Sequence, residues 1–337
     1  MYRVKKLVIG LMIILLTLLV ACQSTDGQDK KVETITLVEV THSIFYAPQY
    51  VSKNLGFFTE ENIEIEWVNG NGGDKTMTAL LADQADIILV GAEAGLYVTA
   101  RSQSTDISAF AQLTQTDGSF LVARHPITPF TWEQLKGKTL LGQRRGGMPQ
   151  MVSEYVQKQN QIIPHQDVAL IQNIDYKNLS SAFVAGTGDF VQLFEPMASK
   201  IEAQGYGKIV ASFGTESGHL PYTCYLTKKS KQDPELLKRF TRAIQKGQSW
   251  VKTHSATEIA SVIQEDFPDI SKENLIQVVD RYKKQASYAE DTIIDEEEYQ
   301  RMLTIMKEAN ELPKVIPYDL YINTTYAEEV KQELKQE

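Results

Sequence analysis

Two carboxylates stand at strand ends: Glu93 just past the apolar run Ile87–Val90, and Glu195, in Phe194-Glu195-Pro196, after the matching strand of a second stretch. At the mouth of a buried strand a carboxylate accepts hydrogen bonds from the N–H groups of a solute; the alternative is that Glu93 caps the helix beginning there and Glu195 pairs with a hinge residue. Between them the loop Gly142–Met148 (GQRRGGM) sets Arg144 and Arg145 beside Gly146 and Gly147, directly ahead of Pro149. Bare glycine backbone, a guanidinium fork and a helix N-terminus all suit the polar or anionic edge of a ligand. The alternative is that both arginines are solvated on the rim. A second glycine-rich turn, Asn69–Lys75 (NGNGGDK), brings Gly73 and Asp74 to the start of another helix. It either presents free N–H groups or is a tight turn with Asp74 as N-cap. Ser43, Phe45 and Tyr46 in the loop THSIFY, Tyr176 in NIDYKN and Tyr222 in ESGHLPY complete the candidate ligand contacts. Their aromatic rings suit a flat or partly apolar solute.

Signatures of catalysis are missing. There is no Gly-x-Ser-x-Gly elbow, His-Glu-x-x-His pair or phosphate-loop lysine. The five histidines, His42, His125, His165, His219 and His254, are scattered. His42 and His219 could both face a shared cleft, yet a lone loop histidine is most often a polar contact, so no metal and no cofactor is expected. The two cysteines, Cys22 and Cys224, show no zinc spacing. Cys224, within LPYTCYL, reads as a small core residue.

The elements that must position these residues occur twice. Thr78–Glu93 (TALLADQADIILVGAE) is answered by Ser181–Pro196 (SAFVAGTGDFVQLFEP), with Ala79 and Ala182, Ala82 and Ala185, Asp86 and Asp189 each 103 positions apart. Upstream, PQYVSK at Pro48 is echoed by PQMVSE at Pro149, 101 positions on. A domain-sized period argues for two related α/β lobes. Each reads as strand, loop, proline-opened helix, strand, loop, helix, strand. Right-handed crossovers gather the loops at the carboxyl edge of each sheet, where open α/β sheets bind ligands. Expected strands are Thr34–Val40, Ile63–Val68, Lys138–Leu141, Val168–Gln172 and Lys208–Ser212. Ile107–Ala123 crosses to the second lobe and places LTQTDGS near the cleft, and Glu216–Tyr222 returns. The four helices expected after Asp233 should cover the first lobe.

With 337 residues, 42% of them hydrophobic, the chain is long enough for two domains with real cores. Its net charge of −9 leaves no basic stripe for nucleic acid. Arg3, Lys5 and Lys6 precede the apolar Leu7–Leu19, too short for comfortable membrane spanning. Leu19-Val20-Ala21-Cys22 resembles a bacterial lipobox. Residues 1–21 are therefore expected to be a lipoprotein signal peptide, with Cys22 lipidated. Residues 22–33 then form a polar tether, and with Cys224 alone no intramolecular disulfide is possible in the mature chain.

Ala47-Pro48-x-Tyr50-Val51, Gly56-Phe57-Phe58-x-Glu60-x-Asn62-Ile63, Gly72-Gly73 and the Ala79–Asp86 unit together resemble the solute-binding proteins of ABC importers. The similarity is to the nitrate/sulfonate/taurine group and its thiamin-pyrimidine-precursor relatives, across almost the whole mature chain. It implies an α/β, two-lobe periplasmic-binding fold (type 2, Venus-flytrap), each lobe a mixed sheet flanked by helices. Residues 34–122 and 215–337 would form lobe one and residues 123–214 lobe two. It also implies a monomeric, lipid-anchored, extracytoplasmic receptor that is not an enzyme and serves a permease and ATPase. Glu93 and Glu195 favour a solute with N–H donors, such as an aminopyrimidine thiamin precursor, over a bare anion. Taurine or another sulfonate is the alternative, satisfying Arg144. A synthase of the fungal pyrimidine-precursor type is a weaker one, because the cysteine cluster of those enzymes is absent.

Overall fold

A computed structural model of the chain describes residues 32–102 and 106–336. Cys22, the signal segment and nearly all of the expected tether lie outside the described residues. Among the described residues, no helix is long and apolar enough to cross a membrane.

Ten strands build two mixed sheets flanked by helices. In chain order they are β1 (Glu33–Glu39), β2 (Ile63–Asn69), β3 (Ile87–Gly91), β4 (Ile107–Thr114) and β5 (Ser119–Ala123), followed by β6 (Thr139–Leu141), β7 (Ala169–Ile171), β8 (Phe190–Phe194), β9 (Lys208–Ser212) and β10 (Thr223–Lys228). The first sheet runs β2-β1-β3-β10-β4 and the second β7-β6-β8-β5-β9. Strands β1 and β3 are parallel, as are β6 and β8, whereas β10 and β5 run antiparallel to their neighbours. Each sheet thus admits one reversed strand arriving from the other lobe. Ile87–Val90 and all of β4 are buried, as expected of strands covered on both faces.

The internal echo is a structural repeat. Asp86 and Thr36 exchange hydrogen bonds: Thr36 N donates to Asp86 Oδ2 at 2.8 Å, and Asp86 N to Thr36 O at 3.0 Å. Asp189 and Thr139 do the same at 2.8 and 2.9 Å. In both lobes the aspartate pins the entry to a central strand onto the start of its neighbour. Ala82 and Ala185 both cap the C-terminus of a helix. Pro48 and Pro149 are each the second residue of a helix, Ala47–Asn54 and Met148–Gln159, where the missing N–H leaves no acceptor unpaired.

The first crossing lies between Thr114 and Ser119, because all of β5 pairs in the second sheet. That is earlier than the 122/123 boundary read from sequence. The return runs through the helix Phe213–Ser217 to β10. After it, Asp233 caps the helix Pro234–Thr253 and Asp295 caps Glu296–Glu308, each accepting two backbone N–H bonds. These helices do more than cover the first lobe. Pro234–Thr253 packs on Ala47–Asn54, where Ser52 Oγ donates to Ala243 O at 2.9 Å. Glu296–Glu308, however, packs on Met148–Gln159 of the second lobe, and Lys158 Nζ donates to Glu308 O.

Candidate functional site

Glu93 is the second residue of the helix Ala92–Ser102, which starts where β3 ends, and its side chain crosses the seam between the lobes. Its Oε1 accepts the Met148 N–H at 3.2 Å, at the start of the second-lobe helix Met148–Gln159. Tyr97, one turn on, donates to the carbonyl of Gly146 at 3.2 Å. Gly146 has φ +86°, a conformation that glycine adopts without strain. The carboxylate folds back over Gly91, where an added Cβ would lie 2.2 Å from Oε2. Glu93 Oε2 is buried with no hydrogen-bond partner. Burial in this apolar seam raises the carboxyl to about 7, opposed only in part by the backbone bonds.

Behind this carboxylate lies an aromatic wall. The Phe45 ring centroid is 5.0 Å from Tyr282, 5.7 Å from Tyr222 and 6.2 Å from Phe194 of the second lobe. Edge and tilted contacts at these separations are favourable for rings with a negative face and positive rim. Phe45 presses on Gly118 in the crossing, where a Cβ would stand 2.7 Å from the ring. Tyr46 is buried, and burial moves its hydroxyl far above the ordinary range. Ser43 is half-buried, and its hydroxyl accepts the Phe45 N–H at 3.2 Å, so it caps the 3-10 turn Ile44–Tyr46. Tyr176 is half-exposed, 6.0 Å from Phe194.

The crossing segment supplies groups that sequence reasoning did not name. Asp117 is fully buried; its Oδ1 accepts from Ser119 N at 2.6 Å and from Ser119 Oγ. Its Oδ2 and the Tyr222 hydroxyl are both buried without a completed hydrogen bond. They are nonetheless neighbours. Burial first, then the Asp117 charge, pushes the Tyr222 hydroxyl well above its usual value. Burial raises the Asp117 carboxyl to about 6. Nothing in LTQTDGS betrays this, because Asp-Gly between apolar runs reads as an exposed turn.

Glu93, Tyr46, Tyr222 and Phe45 are thus brought together, with Gly146 and Gly147 facing them at the start of the second-lobe helix. Other candidates stand elsewhere. Arg144 is exposed and pairs with Asp175 at 3.3 Å, while Arg145 lies 4.0 Å from Glu311. The rim position holds for both, since each finds a carboxylate in water. Asp74 is exposed and caps nothing; its helix, Gly73–Leu81, starts from Gly72 without a side-chain cap, and Gly73 is half-buried. Glu195 is buried but already committed. It accepts from Ser199 N and Oγ at 2.9 and 2.8 Å and forms an ion pair with Arg281 Nη1 at 3.2 Å, which ties the second lobe to the helix Lys272–Lys284. His42 lies between Glu39 and the Asp266 carbonyl, each at 2.8 Å, and His219 is 3.4 Å from Glu298. Among the described residues no cluster could hold a metal. Cys224 is free and fully buried.

The family described as NMT1/THI5 like matches residues 44–257. The chain is 49% identical over 323 residues to the putative binding protein YtlA of Bacillus subtilis (strain 168), which covers 95% of this chain and 96% of that protein. Among solved structures it is similar to the putative sulfonate ABC transporter, periplasmic sulfonate-binding protein SsuA from Methylobacillus flagellatus KT. That match has a TM-score of 0.71 and 16% identity, and covers 91% of this chain and 96% of that one. The periplasmic nitrate-binding protein NrtA from Synechocystis PCC 6803 matches with a TM-score of 0.68 and 14% identity, over 91% and 90% of the two chains.

Proposed function

This chain belongs to the NMT1/THI5-like family, and from that premise we propose that it captures a small organic solute for an ABC importer. The solute we favour carries N–H donors on a flat ring, as an aminopyrimidine thiamin precursor does. One observation carries this reading. The N-terminus of the helix Met148–Gln159 is where an anion would be stabilised, and Glu93 itself occupies it. A nitrate or sulfonate at that place would meet a carboxylate. The free Glu93 Oε2, by contrast, is an acceptor awaiting a donor.

The sulfonate reading draws on the sulfonate-binding proteins that share the fold and needs a cation in the cleft. Arg144 is exposed beside Asp175, and Arg281 is held by Glu195 and Glu202. Neither supplies one here. The receptor works by closure: contacts from both lobes to one solute stabilise the closed state. It hands its cargo to a permease with its ATPase, outside the cytoplasmic membrane, anchored through Cys22. Mass spectrometry of the membrane fraction tests the anchor; an unmodified Cys22 in a mature product would remove it. Calorimetry with aminopyrimidines, taurine, alkanesulfonates and nitrate tests the solute class. Tight binding of a sulfonate with no response to aminopyrimidines would overturn the reading.

A further inference from the structure

Strand β10 lies between β3 and β4, and Thr223 at its start is in register with Gly91 on one side and Thr114 on the other. Tyr222, just before it, donates its N–H to Thr114 O at 3.2 Å. The chain beyond β3 gives Glu93, and the chain beyond β4 gives Asp117. The two carboxylates therefore flank Tyr222 at one edge of the sheet. The strand ends they follow are two strand spacings apart, roughly 10 Å, on the scale of a single substituted ring with its hydrogen bonds.

Buried polar atoms without partners are rare, because leaving one unpaired costs the full loss of its hydration. Here Glu93 Oε2 has no partner, and on the next strand ends Tyr222 Oη and Asp117 Oδ2 have only each other, without a well-aligned bond. Ser119, itself bonded to Gln192 Nε2 at 2.8 Å, fixes Oδ1 and so fixes the orientation of the Asp117 carboxylate. The Asp117 carbonyl accepts from Gln285 Nε2 at 2.6 Å, which holds the backbone as well. A carboxylate clamped on one oxygen, whose other oxygen faces only the Tyr222 hydroxyl, keeps lone-pair capacity for one more hydrogen bond.

We propose that Asp117, with Tyr222, is a second solute-reading group, so that the solute presents hydrogen-bond donors on two opposite edges, one to Glu93 and one to Asp117. This rests on the binding reading above. It narrows the solute to a ring with an exocyclic amine on one side and a second N–H or O–H donor across from it. Because Asp117 lies in the crossing between lobes, reading the solute there ties recognition to the segment that bends on closure.

The test is calorimetry on the full chain, with 4-amino-5-hydroxymethyl-2-methylpyrimidine as probe and its analogue lacking the hydroxyl as control. Asp117→Asn should weaken the probe by 10-fold or more, and Tyr222→Phe, which keeps the ring, by 3-fold or more. Both variants should bind the control within about 3-fold of wild type. If both bind the probe as wild type does while Glu93→Gln loses it, Asp117 is structural and the inference falls, although the functional reading stands. If Asp117→Asn does not fold, the Tyr222→Phe result decides alone. A wild-type chain that ignores the probe overturns the inference together with the functional reading.

Discussion

Glu93 and Met148 meet at 3.2 Å across the seam between the lobes, a side-chain carboxylate of one on a backbone N–H of the other. The bond makes the proposed solute acceptor, Glu93, a fastening between the halves as well. Its two oxygens differ: Oε1 faces the helix N-terminus of the second lobe and Oε2 has no hydrogen-bond partner.

Glu93→Gln keeps an acceptor for Met148 but replaces the other oxygen's charge with a donor. Affinity for an N–H-bearing solute should fall about 30-fold or more, the scale of losing a charged partner in a desolvated site. Arg144→Ala, on the rim, should change affinity less than about 3-fold. Calorimetry on the two variants reads this directly, and the reverse order would indicate an anionic solute.

Gly91→Ala isolates the geometry. The backbone there tolerates alanine, but the new Cβ would lie 2.2 Å from Glu93 Oε2 and drive the carboxylate out of place. Solute affinity should drop at least as far as in Glu93→Gln, with the circular dichroism spectrum unchanged. Binding within about 3-fold of wild type would show that the carboxylate has room to relocate.

Stability should depend on pH through Glu93. Its folded value of about 7 lies above the ordinary 4.5, so the folded state keeps the proton that the unfolded state has lost. The contribution is greatest below about 4.5, declines as pH rises to about 7 and is constant above. The full difference is about 3 kcal/mol. The groups that feel this charge include the Tyr46, Tyr97, Tyr222 and Tyr321 hydroxyls and the Cys224 thiol. His42 adds a decline of the same sign, since its bond to Glu39 raises it. Comparing Tm of wild type and Glu93→Gln from pH 4.5 to 8 cancels that background. Wild type should lose more stability over the interval, and parallel curves would contradict the assignment.

Much of this architecture was legible because period and punctuation coincide. Ile87–Val90 is apolar at every position, as a doubly covered strand requires, and Pro48 and Pro149 mark helix starts by chemistry alone. The echo of Asp86 in Asp189 was readable because one local bond, to Thr36 or Thr139, recurs with the motif. The site was harder. Glu93 and Glu195 look alike in sequence, and only tertiary packing tells them apart: Arg281, from a helix 86 positions later, claims Glu195. Arg144 has the right neighbours in sequence, yet Asp175 holds it in solvent. LTQTDGS could be placed near the cleft, but the burial of Asp117 could not be read, because it is decided by Gln285 and Phe45, neither of which is implied by the turn itself.

Removing Arg281 should expose the structural use of Glu195. Arg281→Met leaves a fully buried carboxylate with only Ser199 as partner. That should cost about 2 kcal/mol, read as a lower denaturant midpoint with solute affinity nearly unchanged. An unaltered midpoint would mean that Ser199 alone satisfies the carboxylate.

Strand β10 sets an order on the making of the molecule. β3 and β4 do not pair with each other; both pair with β10, which arrives only at Thr223. All five strands of the second sheet, by contrast, are translated between Ser119 and Ser212. A chain emerging from the ribosome can therefore close its middle before its beginning. Until residue 228 is out, two apolar strands of the first sheet wait with open edges, the condition under which nascent chains stick to one another. Stalled at residue 222, the chain should resist protease across 119–212 and be cut readily between 87 and 114. The half that is synthesised first is the half that folds last.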